Sequence, residues 1–78
     1  MWIRSQDKKM LIKANVIQVC SLDDEYTQIW GYVNEISEPQ YNGFILGEYK
    51  TEERALEVLD DIQNRIKEGI SIYEMPEK

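Results

Sequence analysis

Apolar and polar positions along the chain change their period at a few well-marked places, and each change predicts an element. Residues 2–6 open with Trp2 and Ile3, the polar triplet Asp7-Lys8-Lys9 follows, and residues 10–20 form an apolar run. Strand, polar turn and strand is the pattern of a hairpin. Within the run, Ile12, Ala14 and Val16 share one parity, while Leu11, Ile17 and Val19 share the other with Lys13 and Asn15. Neither face alternates cleanly, and a bulge or bend near Asn15 reconciles the two halves. Residues 21–26, with Asp23, Asp24 and Glu25 in a row, are too charged for a sheet interior and read as a loop.

Residues 27–34 set Ile29, Gly31 and Val33 against Trp30 and Tyr32. This is the period-2 pattern of a strand whose second face is aromatic. Residues 35–43, with Pro39 and Asn42-Gly43, make a connection. Residues 44–49 resume a strand, with Phe44 and Leu46 on one side and Ile45, Gly47 and Tyr49 on the other. Thr51 then caps a helix, with Glu52 and Glu53 in its first turn, Arg65 and Lys67 in its last, and Gly69 as its stop. Ala55, Leu56, Val58, Leu59, Ile62 and Ile66 recur at helical spacing and give one apolar stripe. Residues 70–75 leave room for one more short strand before Pro76. The expected order is β-β-β-β-α-β, an α+β fold in which one helix covers an antiparallel sheet of four or five strands, open or curled into a half-barrel.

A sheet has two faces and one helix covers only one of them, so the second face must curl, meet solvent or be buried by a partner. Length sharpens this point. A chain of 78 residues makes one domain, residues 1–78, and buries only about 60–65% of its unfolded surface, which gives oligomerisation a physical incentive. A homo-oligomer, most simply a homodimer, is therefore expected. The longest apolar runs fall far short of the roughly 20 residues that span a bilayer. No charged segment followed by an apolar one opens the chain in the manner of a secretory signal. The expectation is a cytoplasmic protein without membrane contact.

Charge narrows the partners. The chain carries 9 Lys and Arg against 15 Asp and Glu, a net charge of −6, which repels phosphate backbones over a screening length of about 8 Å and argues against direct nucleic-acid binding. The charge is uneven. Arg4, Lys8, Lys9 and Lys13 against Asp7 give +3 over residues 1–13, which leaves −9 for the remainder. A small anion has one basic edge to find. Histidine is absent and Cys20 is the only cysteine, which removes imidazole bases, Cys-His dyads, zinc clusters and an intramolecular disulfide. No cofactor and no catalytic residue is assigned, and the expectation is a protein that is not an enzyme.

The candidate ligand-binding residues are Trp2, Arg4, Lys8, Trp30 and Tyr32. Trp2 and Arg4 lie two apart on a strand and share a face, where an indole beside a guanidinium grips a phosphate or carboxylate. Arg4 serves equally as packing on Trp2 or as the partner of an acid such as Glu48. Trp30 and Tyr32 share the face opposite the one that meets the helix, and stacking on such rings contributes about 1–3 kcal/mol per base; plain packing uses aromatic rings in the same way. Lys8 is the tip of a hairpin or the rim of an anion pocket. Asp23, Asp24 and Glu25 lack the alternate spacing and turn glycine of a calcium loop, so no metal is assigned. Asp60 and Asp61 read as helix surface, with Asp61 paired to Arg65. Glu53, Glu57, Asp60, Asp61 and Glu68 form an acidic stripe, which serves a protein partner or only solvent.

The segments 2–9 (WIRSQDKK) and 46–63 (LGEYKTEERALEVLDDIQ), with 73–76 (YEMP), resemble small uncharacterised proteins of Gram-positive bacteria and their prophages. The likeness covers both ends of the chain. It implies a short, cytoplasmic, mobile-element protein of a kind that blunts host defence by binding. Two functions follow as expectations. The first is non-enzymatic sequestration of a small anionic, nucleotide-derived ligand by Trp2, Arg4, Lys8, Trp30 and Tyr32 at a dimer interface. The second is inhibition or adaptation of a host protein through the open sheet face or the acidic helix.

Overall fold

A computed structural model describes residues 1–21, 26–33 and 43–78. The strands are β1 (Trp2–Arg4), β2 (Leu11–Lys13), β3 (Val16–Ser21), β4 (Thr27–Tyr32) and β5 (Gly43–Tyr49); helix α1 (Glu52–Lys67) and strand β6 (Ile72–Glu74) complete the chain. The fold is α+β, but the single antiparallel sheet expected from the sequence is replaced by two three-stranded sheets, ordered β2-β1-β6 and β3-β4-β5. The bend anticipated near Asn15 is the cause. Ala14 and Asn15 lie between β2 and β3, where the Asn15 backbone N–H donates to Tyr32 O at 2.7 Å and its side-chain amide donates to Val33 O at 2.9 Å. Those two bonds hold the start of β3 beside the end of β4, so β2 stays with β1 while β3 enters the other sheet. The bend also resolves the mixed parity of the run, because Ile12 points into the core before it and Ile17 and Val19 point inward after it.

The second departure from an all-antiparallel sheet is at the other end of the chain. Strand β6 pairs in parallel with β1, Trp2 opposite Ile72 and Arg4 opposite Glu74. A parallel neighbour needs a long crossover, and here it runs through β2, the three strands of the other sheet and finally α1. The β1–β2 hairpin, in contrast, is antiparallel with Trp2 opposite Lys13 and Arg4 opposite Leu11. Its turn is fastened by Ser5, whose hydroxyl donates to Asp7 at 2.6 Å and accepts from the Met10 N–H at 3.1 Å. Lys8 sits there in the left-handed region at φ 67°. The expectations for Asp23, Asp24, Glu25, Asn34 and the connection 35–42 fall outside the described residues.

One core joins both sheets to the helix. Ile3, Ile12, Tyr73 and Met75 come from sheet 1 and the chain beyond β6; Ile29, Leu46 and Tyr49 come from sheet 2; and Ala55, Val58 and Ile62 come from α1. The helix begins as its sequence dictates, with the Thr51 side chain accepting from the Arg54 N–H at 3.0 Å, and packs on β3, β4 and β5. Its buried stripe is narrower than its apolar pattern, since Leu56 and Ile66 are exposed. Gly31 leaves room for Ile12 of the other sheet and for Leu46 of its own: a Cβ there would lie 2.9 Å from both Ile12 Cδ1 and Leu46 Cδ1. In β5 the register slips beside Ile29 and Trp30, an irregularity that turns Leu46 into the core while Ile45 stays opposite Trp30.

Candidate functional site

The five residues singled out in the sequence occupy two separate surfaces. Trp2 and Arg4 project together from the outer face of sheet 1, as their spacing requires, with Ile3 buried between them. Trp30 and Tyr32 share the face of sheet 2 opposite α1, with ring centroids 6.5 Å apart and planes inclined by 20°, but Trp30 is half-buried and Tyr32 is buried, so the tyrosine ring is not the open platform expected of it. Trp2 and Arg4 line different clefts, and neither cleft is lined by Lys8, Trp30 or Tyr32. Within one chain the structure therefore pairs the candidates two by two and does not bring all five to one pocket.

Arg4 and Lys8 are linked in another way. The Arg4 Nε donates to the Lys8 carbonyl at 3.0 Å, which braces the left-handed turn from the strand beside it. Arg4 does not pair with Glu48, whose carboxylate accepts from Gln28 at 2.9 Å. The cleft that Arg4 lines, of about 510 Å³, also contains Arg65, Asp61 and Glu74. Two of its charges are paired: Arg65 lies 3.6 Å from Asp61, which also accepts from the Tyr73 hydroxyl at 2.8 Å, and 3.3 Å from Glu68 outside the cleft.

A more capacious cleft, about 890 Å³, is built differently. It lies between the end of sheet 1, the start of β3 and the C-terminal half of α1, with Ile17, Leu59 and Ile62 toward the core and Ile66 and Ile70 on the open side. Trp2 from β1 and Lys13 from β2 are cross-strand neighbours on one wall, and Lys67 stands in the last turn of the helix. Among the described residues no carboxylate lines it, and Lys13 and Lys67 make no ion pair. Gln63, Ser71 and Asn15 complete its polar lining. In a chain of net charge −6 this is a local inversion of sign. Each exposed cation contributes about 0.2–1 kcal/mol to an ion pair, whereas 200 Å² of apolar ligand surface removed from water contributes roughly 5 kcal/mol.

The outer face of sheet 2 has the opposite character. The Trp30 Nε1–H donates to Gln28 Oε1 at 3.0 Å, Gln28 donates onward to Glu48, and the Tyr32 hydroxyl donates to Gln18 Oε1 at 3.0 Å. Every side-chain donor of the two rings is spent inside the protein. Gly43 makes the stack possible, because a Cβ there would lie 2.7 Å from Tyr32 Cε1 and 2.9 Å from Trp30 Cε3. Val16 and Ile45 flank the rings and remain 47% and 43% exposed.

Burial pushes the Tyr49 phenol up to about 12 while its hydroxyl donates to Pro76 O at 2.8 Å. Burial, aided by the hydrogen bond to Asp61, raises Tyr73 as well. Cys20 is half-buried on β3, and among the described residues no three of His, Cys, Asp and Glu gather to hold a metal ion. Among them, too, no helix is long and apolar enough to cross a membrane. The acidic helix stripe is interrupted, with Glu57 taken by Arg54 at 3.2 Å and Asp61 and Glu68 taken by Arg65.

Sequence reasoning passed over Lys67, Gln63 and Ser71, and treated Lys13 only as part of a basic edge. The signal for Lys13 was its place opposite Trp2 in the hairpin; Lys67 reaches the same cleft only because β6 returns beside β1. Searches against protein-family models, curated proteins and solved structures find no match to this chain.

Proposed function

We propose that the protein is a non-enzymatic binder of a small anionic ligand, of the phage and prophage type that its end segments resemble, and that it acts by sequestration. The observation that carries this reading is the Trp2 cleft, in which Lys13 and Lys67 face an apolar floor with no carboxylate among the described lining residues. The volume suits a drug-sized molecule, and the indole of Trp2, 42% exposed, offers a flat face to a ring. Capture of a small anionic host signal there would make the protein a counter-defence factor. Arg4 and Lys8 then serve the site through the hairpin that carries Trp2 and Lys13.

A second reading has its own observation. The outer face of sheet 2 presents Val16 and Ile45 beside the half-buried Trp30, and the polar atoms of Trp30 and of the buried Tyr32 are already satisfied. Such a face binds protein by burying apolar area, and it would serve a host target or a second copy of this chain in a homodimer.

Native mass spectrometry of the protein purified gently from its own host separates the two. A retained, releasable mass of a few hundred daltons that is lost on the double substitution Lys13→Ala and Lys67→Ala supports the ligand reading. A stoichiometric protein partner, lost on Val16→Asp or Ile45→Asp and indifferent to the lysines, moves the function to sheet 2. The same spectrum gives the oligomeric state, for which a dimer is expected.

A further inference from the structure

We propose that the ligand of the Trp2 cleft is a monoanionic amphiphile, a single negative head such as a carboxylate on an aliphatic body, and not a compact or multiply charged anion. The inference rests on the reading of this cleft as an anion site and names the class of anion.

The cleft lacks what multiply charged phosphates need. Phosphate sites are built from helix N-termini and clusters of unspent backbone N–H groups. This cleft receives the other end of α1, where the partial charge is negative, and Lys67 already answers part of it. Four backbone amides that border the cleft are spent: Trp2 donates to Ser71 O, Asn15 to Tyr32 O, Gly69 to Ile66 O and Ile70 to Arg65 O, all at 2.7–3.0 Å.

What the cleft offers instead is apolar surface in need of cover. Ile66 and Ile70 are 55% and 42% exposed, although Ile66 follows the helical spacing of the buried Ile62, and Ile17, Leu59 and Ile62 continue the apolar surface inward. An aliphatic chain laid along these side chains removes both partners' surface from water. Its charged end, placed against Lys13 or Lys67, gains a cation without giving up solvent entirely. One head and one body are what two lysines and an isoleucine-lined trough can satisfy together.

The test titrates decanoate, below the concentration at which it forms micelles, into the Trp30→Phe protein and follows the emission of the remaining Trp2. Calorimetry on the unchanged chain with the same ligands provides a second readout should that variant fold poorly. Decanol supplies the body without the charge, acetate the head without the body, and ADP a multiply charged nucleotide. The expected result is saturable binding of one decanoate per chain, with acetate and ADP without effect and decanol about tenfold weaker, the worth of roughly 1.4 kcal/mol. Lys13→Ala with Lys67→Ala should raise the decanoate Kd by about the same factor, and Ile66→Asp, on an exposed position, should abolish saturation without altering the helical signal. Saturation by ADP and not by decanoate would overturn the amphiphile and leave the anion cleft standing. Equal binding of decanol and decanoate, indifferent to the lysines, would overturn both, as would the absence of any saturable change.

Discussion

Each sheet of this protein turns one face outward and sets a tryptophan at its middle strand, yet the two faces are built to different ends. Around Trp30, the indole N–H, both glutamines, Glu48 and the Tyr32 hydroxyl close a network of their own, so what remains for a partner is apolar area. Around Trp2, Lys13 stands directly opposite on the next strand, Lys67 closes from the helix, and neither has an anionic partner among the described residues. The contrast teaches that an aromatic on an open sheet face says little until its polar neighbours are counted. A spent set of donors makes a surface for contact, and an unspent pair of cations makes a surface for a charged ligand.

The largest effects test whether the two faces share a foundation. Ile3 and Ile29 are fully buried at the middle of sheet 1 and sheet 2 in one core, and truncation of either to alanine should cost about 2–5 kcal/mol. In urea, followed by far-UV and tryptophan signals together, both variants should unfold in a single transition. Two separated transitions in either one would mean that the sheets fold apart. The next comparison is between the tryptophans. Trp30→Ala removes a half-buried stacked ring and should cost about 2–3 kcal/mol, whereas Trp2→Ala should cost about 1 kcal/mol or less and remove ligand binding. Equal midpoints for the two would erase the distinction drawn between the faces.

Finer changes sharpen the sheet 2 face. Gly43→Ala places a Cβ against both rings and should cost about 1–3 kcal/mol through their displacement, visible as a change in the near-UV spectrum. Tyr32→Phe removes only the hydrogen bond to Gln18 and should cost about 1 kcal/mol. The smallest effect is acid and belongs to sheet 1. The Ser5 hydroxyl and the Lys9 backbone N–H hold the Asp7 carboxyl below its ordinary value of 3.8. Its contribution is therefore present above about pH 4 and is lost as pH falls below that value, so amide exchange in the β1–β2 hairpin should quicken there before it does in sheet 2. At the alkaline end the sign reverses. Tyr49 and Tyr73 are both raised above the ordinary 10.0 of an exposed tyrosine, and stability should hold below pH 10 and fall as pH rises from there toward 12.

Much of this architecture was legible in the sequence because local rules fix it. Thr51, Glu52, Glu53 and the lysine-bearing last turn define α1 without help from the rest of the chain, and the alternation of Ile29, Gly31 and Val33 with Trp30 and Tyr32 orders the two faces of β4. The broken parity around Asn15 showed that the run of residues 10–20 bends. It did not show that the bend moves the chain from one sheet to another, because the bonds from Asn15 to Tyr32 and Val33 join residues 17 or more apart. The pairing of β6 beside β1 is equally non-local. That pairing fixes the site: Trp2 and Lys13 meet through hairpin register, but Lys67, Ile66 and Ile70 join them only because the chain leaving α1 returns to the edge of β1. Gln18 and Gln28 escaped notice for the same reason, since a glutamine that quenches a ring's donor is recognised only once strand register is known.

The central claim is that the Trp2 surface takes a ligand and the Trp30 surface does not. The two indole N–H groups give two resolved signals in a proton–nitrogen correlation spectrum, assigned by Trp2→Phe and Trp30→Phe, and the direct measurement is their response to decanoate. The account predicts that the Trp2 signal moves to saturation while the Trp30 signal, held by Gln28, stays in place. Movement of Trp30 alone, or of neither, would contradict it.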